Sequence, residues 1–102
     1  MTDVLERCKR ILQAAYGDRF AGLVLFGSRA RKEETLESDV DLLVLLVPPV
    51  DYSEELWALT ELLYPVQLDV DYLLSALPAS VDEYQSGKIQ LYRNVRRQGV
   101  VI

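Results

Sequence analysis

Histidine is absent from this chain. That removes Ser-His-Asp and Cys-His catalysis and the commonest transition-metal ligand. Cys8 is the only cysteine, so an internal disulfide is excluded and a cysteine-based zinc site is disfavoured. No apolar run approaches the roughly 18 residues of a membrane span. The first residues, Met1-Thr2-Asp3-Val4-Leu5-Glu6, lack the basic and apolar regions of a signal peptide, which makes a cytoplasmic location the expectation. Positive charge is also scarce: 11 Lys and Arg stand against 16 Asp and Glu, a net charge of −5. That balance argues against broad nucleic-acid binding, so direct DNA binding is not expected. The basic residues that exist fall in two clusters, Arg29/Arg31/Lys32 and Arg93/Arg96/Arg97. A local pocket for a triphosphate stays compatible with this. An acidic body also suits a basic protein partner, through steering.

What remains is a chain of 102 residues, half of them apolar, without repeats, low-complexity tracts or linkers. It reads as one domain, residues 1–102, with a small core. Residues 3–16 carry Val4, Leu5, Cys8, Ile11, Leu12 and Ala15 at helical spacing, with Asp3 and Glu6 resembling a capping box and Gly17 as the stop. Residues 22–26 are a short, continuous apolar run, a buried strand. Ser28 can cap a short helix over residues 28–34. Residues 39–47 form a second buried strand, stopped by Pro48-Pro49. Residues 53–64 read as a helix closed by Pro65, residues 66–74 as a third strand, and residues 78–98 as mostly helix with a weak point at Gly87. Gly99 then releases Val100-Val101-Ile102 as a candidate extra strand. The order predicts an α/β (α+β) fold, a small mixed sheet flanked by helices. Three main strands are few, which leaves room for a partner to cover part of a sheet face.

The chemistry concentrates at Gly27-Ser28, followed after ten residues by Asp39-Val40-Asp41. Residues i and i+2 of a strand point to one face, with Cβ atoms about 6–7 Å apart. Asp39 and Asp41 can therefore converge on one hard cation or share two. Mg²⁺ takes one or two carboxylates and completes its octahedron with waters and substrate phosphates. The bland alternative is an acidic strand entry. Gly27 permits a close backbone approach, and Ser28 leads into a helix whose free N–H groups favour an anion. Arg29 and Arg31 are charge-assisted phosphate donors or members of a solvated helix face. Asp69 and Asp71 form a second pair two residues apart; on a third strand beside residues 39–47, one of them would complete a metal cluster. Tyr52, Tyr64 and Tyr92 could stack on a base, but core packing is the expectation for each.

These residues resemble the DNA polymerase β-like nucleotidyltransferases, whose signature is Gly-Ser, a spacer, Asp-x-Asp and a later third acid. The text Leu25-Phe26-Gly27-Ser28-Arg29-Ala30-Arg31 with Ser38-Asp39-Val40-Asp41-Leu42 is similar to the minimal nucleotidyltransferases (MNT), and the whole chain fits that short family. Lys32 departs from it, since many relatives have Gly there. The resemblance implies ATP as substrate, two Mg²⁺ ions and transfer of AMP to a hydroxyl. By carry-over, Ser28 holds nucleotide phosphate beside Gly27, Arg29 and Arg31, and Asp39 and Asp41 bind both metals. Asp71 is the first choice for the third acid, since Val70-Asp71-Tyr72-Leu73 looks like the family's strand; Asp69 fits an alternative alignment. Family members pair with a HEPN-type ribonuclease toxin and act as antitoxins, some by attaching AMP to a toxin tyrosine. Assembly as a homo-oligomer or as a hetero-oligomer with the toxin is compatible with this. Two rivals stand beside it: a non-catalytic antitoxin that neutralises by stoichiometric binding, and a small-molecule adenylyltransferase.

Overall fold

The computed structural model describes residues 2–27 and 39–102. The short helix expected over residues 28–34 lies outside them. Along the described chain run α1 (Thr2–Tyr16), a 3-10 turn (Gly17–Arg19), β1 (Phe20–Phe26), β2 (Val40–Leu46), α2 (Tyr52–Leu68), β3 (Leu74–Ser80), α3 (Val81–Ser86), α4 (Gln90–Gln98) and β4 (Val100–Val101). The strands form one mixed sheet in the order β3-β2-β1-β4. β2 runs antiparallel to β1 and parallel to β3, while β4 runs antiparallel to β1. The expected small mixed sheet with flanking helices is therefore present.

β2 is central and buried on both faces beyond Asp41, which is why residues 42–46 read as a continuous apolar run rather than an alternating one. Val40, Leu42, Val44 and Leu46 face a core shared with Leu5, Cys8 and Leu12 of α1 and Leu59, Leu63 and Val66 of α2. Leu43 and Leu45 face the other way, onto Val24, Ala79 and Val95. Burial pushes the Cys8 thiol up to about 11, so the lone cysteine is a small core hydrophobe rather than a nucleophile. Asp51 caps α2 by accepting a bond from the Glu54 N–H at 3.1 Å. The entry to α2 is also tied by Arg19, which donates to Glu55 Oε2 and to the Pro49 carbonyl, both at 2.9 Å.

Two sequence expectations fail on the same stretch. α2 does not close at Tyr64: it continues through Pro65 to Leu68. Proline inside a helix removes one hydrogen bond, but Val66 beyond it is wholly buried between helix and sheet, and that burial holds the extra turn. The third strand is consequently displaced from residues 66–74 to Leu74–Ser80. The last helical segment begins at Val81 rather than at Pro78, capped by Ser80, and it splits at Gly87, whose φ is +75°. The weak point expected at Gly87 is a true break.

The tail behaves as expected. Gly99 packs so tightly that an added Cβ would lie 2.7 Å from Val24 Cγ1, and this close approach lets β4 pair with β1. Among the described residues, no helix is long and apolar enough to cross a membrane.

Leu59→Ala should lower unfolding free energy by about 2–5 kcal/mol, because the side chain is fully buried. Asp51→Ala should cost only about 1 kcal/mol, through loss of the cap. Urea denaturation of the two variants checks the ranking.

Candidate functional site

β1 ends exactly where the acids begin. In the β1–β2 ladder Phe26 stands opposite Asp41, so Gly27 follows immediately beside that carboxylate. Gly27 has a φ of +79°, a left-handed conformation that side chains disfavour by about 1–2 kcal/mol. A Cβ built on it would overlap Asp41 Oδ2 and lie 3.4 Å from Asp41 Cγ. Glycine is thus required here for two reasons, backbone conformation and space for a carboxylate.

Asp41 lies on the sheet face that carries Leu43 and Leu45, and strand alternation puts Asp39 on the same side. Asp39 is exposed and Asp41 half-buried at the margin of the apolar cluster. Burial raises the Asp41 carboxyl above its ordinary value, and the Asp39 charge raises it further. Two acids forced together on a partly dry surface suit a hard divalent cation that would offset both charges. The donor set fits Mg²⁺, with its remaining positions left for water and phosphate.

The later pair of acids is placed differently from expectation. Asp69 is the C-cap of α2 and accepts an ion-paired bond from Arg7 Nη1 at 2.6 Å. Asp71 lies in the bend ahead of β3. Neither is on a strand, so they do not share a strand face. The in-register neighbour of Asp41 on β3 is Ser75. Among the described residues, no three acids stand close enough to hold an ion together. Ser28, Arg29 and Arg31 lie outside the described residues. Of the aromatics, Tyr92 packs against the second core cluster beside Tyr84, as expected, with ring centroids 6.1 Å apart. Tyr52 and Tyr64 are exposed at 50% and 56%, against the expectation of core packing.

One part of the site escaped sequence reasoning. A cleft of about 200 Å³ opens beside Gly27, with Phe26 as one wall and Leu91, Asn94, Val95 and Gln98 of α4 as the other. The signal was present as the 91/94/95/98 spacing of one helix face, but only the docking of α4 onto β1 gives that face its position. The Arg93/Arg96/Arg97 cluster sits on the same helix. Arg93 donates to the Gly87 carbonyl at 2.6 Å and Arg96 to the Gln85 carbonyl at 3.2 Å, fastening the α3–α4 connection.

Comparison with known proteins bears on the family. The family described as nucleotidyltransferase domain matches residues 5–94. A protein of Methanocaldococcus jannaschii named "Putative protein adenylyltransferase" is 34% identical over 93 residues, covering 89% of this chain and 86% of the relative. A second protein of that organism with the same descriptive name is 40% identical over 50 residues, 49% of each chain, so the match spans about half of that relative's length. Among solved structures, a toxin–antitoxin with AMP-PNP superposes with a TM-score of 0.60 at 25% identity, covering 94% of this chain and 70% of that one.

A carboxyl whose pKa is raised by folding binds protons more tightly in the native state. Stability then falls as pH rises from the unfolded value through the raised one. Asp41 therefore costs stability at neutral pH. Asp41→Asn should raise the urea midpoint at pH 7, and the gain should fade as pH drops below about 4; a midpoint series against pH reads both.

Proposed function

The chain belongs to the nucleotidyltransferase domain family, and from that premise we propose that it transfers AMP from ATP to a hydroxyl of a partner toxin and so acts as an antitoxin. The observation that carries this reading is the placement of Asp39 and Asp41 on one face, beside a glycine that leaves room for them. The descriptive name shared by the two archaeal relatives supports a protein acceptor, and the toxin–antitoxin neighbour with AMP-PNP supports both a nucleotide and a toxin partner. A HEPN-type ribonuclease as that toxin, and a tyrosine as its acceptor, are the finer terms of the proposal. The cytoplasm is the proposed location.

In this mechanism Asp39 and Asp41 would hold Mg²⁺, which would supply charge neutralisation for the reacting phosphate. Gly27 keeps the approach to Asp41 open, and the Ser28 hydroxyl donates to a terminal phosphate, with Arg29 and Arg31 as further donors. The acceptor hydroxyl attacks the α-phosphorus in line. A new P–O bond forms to the acceptor, the α–β phosphoanhydride bond breaks, and pyrophosphate departs. The hydroxyl proton passes to a carboxylate. Asp71 keeps that role in the proposal because Asp69 is engaged by Arg7. Catalysis on these terms is positioning and electrostatics.

A second reading is stoichiometric inhibition without chemistry. It is favoured by one observation, the lack of a third acid grouped with Asp39 and Asp41 among the described residues. The two readings separate in one experiment: substoichiometric protein is mixed with the toxin and ATP-Mg²⁺, and the toxin is weighed. Mass gains in multiples of AMP are expected; no gain, with neutralisation only at equimolar protein, favours the binder.

The double variant Asp39→Ala/Asp41→Ala should fold and transfer no label from ATP, and full transfer by it would sink the proposal. Asp71→Asn should slow transfer by about 10²–10⁴-fold if Asp71 takes the proton. An unchanged rate returns the role to Asp69 or to solvent.

A further inference from the structure

α2 carries large apolar side chains on the side turned away from the sheet as well as on the side that faces it. Leu59, Leu63 and Val66 are buried against the sheet, yet Trp57, Tyr64 and Leu68 are exposed at 71%, 56% and 66% on the outward side. Exposed apolar side chains grouped on one face, here interleaved with Thr60 and Glu61, mark a surface that a partner can cover. Beside that outward stripe, between α2 and the edge strand β3, runs an apolar groove of about 290 Å³. Leu56, Leu63, Tyr64, Leu73 and Ala76 are among its walls, and Leu73 is itself 57% exposed. None of these groups takes part in the site at Asp41.

The stretch of chain that builds the groove carries charge of one sign. From Lys32 to Lys88 the sequence contains no Lys or Arg between those two residues, while it contains most of the chain's acids. Glu61 lies on the exposed stripe between Trp57 and Tyr64, and exposed Asp71 stands at the far end, beyond Asp69, whose charge is met by Arg7. A second copy of this chain, carrying the same rim and a net charge of −5, would bring acid against acid. The rim selects a cationic occupant. The form of that occupant follows from Pro78, which interrupts the donors of β3 and so blunts it as a template for an added strand. The walls on α2 extend from Leu56 to Gln67, about 16 Å of helix, a length matched by three turns of a partner helix.

We propose that the α2/β3 groove docks a cationic amphipathic helix of a partner protein, its apolar face in the groove and its basic residues against Glu61 and Asp71. The groove includes Ser75, the in-register neighbour of Asp41, but it opens on the α2 face of the sheet, opposite the face that carries the acids. The docking does not depend on any transfer chemistry.

Trp57 is the only tryptophan and stands on the groove's outward stripe, which makes it a built-in reporter. The probe is a synthetic amphipathic helical peptide with Leu on one face and Lys on the other, titrated into the full chain. Saturable binding with a blue shift of Trp57 emission is expected. A peptide with Glu in place of Lys should not bind. The double variant Tyr64→Ser/Leu73→Ser, and separately Glu61→Lys, should each weaken binding by about tenfold or more, whereas Asp3→Lys on α1 should not. Circular dichroism of each variant guards against unfolding, and the exposed Glu61→Lys gives a reading even if the double variant is unstable. Equal affinity for all variants would overturn the proposal. So would a dimer in sedimentation equilibrium of the free chain that Leu73→Ser dissociates, since the groove would then belong to a second copy. Loss of AMP transfer in Asp39→Ala/Asp41→Ala with peptide binding intact would leave the docking surface standing on its own.

Discussion

Everything at the site depends on the register of β1 against β2. Phe26 opposite Asp41 puts the end of one strand beside the opening acids of the next. Shifting that ladder by one residue would turn Asp39 and Asp41 toward the core of α1 and α2, where no solvent or cation reaches them. The register is itself set by burial. Val40, Leu42, Val44 and Leu46 fill one core, and Leu43 and Leu45 fill the other, so a slip exchanges two well-packed sets at once. The chemistry is thus aligned by hydrophobic packing several residues away from it.

The two cores have different tasks. The α1/α2 side is the larger and includes Cys8, silenced by burial, and the capped start of α2. The α4 side is thinner and borders the acids, and it supplies the cleft of Leu91, Asn94 and Gln98 next to Gly27. A site on the margin of a small apolar cluster gets partial dryness without full burial. That is the condition under which a carboxylate can be shifted yet still meet a ligand from solvent.

Gly27, Asp39 and Asp41 were legible in the sequence because each rests on a local rule: strand alternation for the acids and side-chain-free approach for the glycine. Gly99 and the short tail strand were legible for the same reason. The third strand was not. Leu74–Ser80 contains Pro78 and small residues and reads as the start of a helix, while Pro65 reads as the end of one. Both signals were overridden by the burial of Val66, a contact between α2 and the sheet that no local pattern displays. The misplacement carried Asp69 and Asp71 onto a strand face they do not occupy. The α4 wall of the cleft was hidden likewise, since a helix face gains meaning only from what it packs against.

The carboxylate pair has an evolutionary consequence. Neutralising Asp41 relieves both its desolvation and its repulsion from Asp39, so a lineage released from chemistry would be rewarded in robustness for discarding it. A chain that retains both acids therefore carries a standing cost in stability.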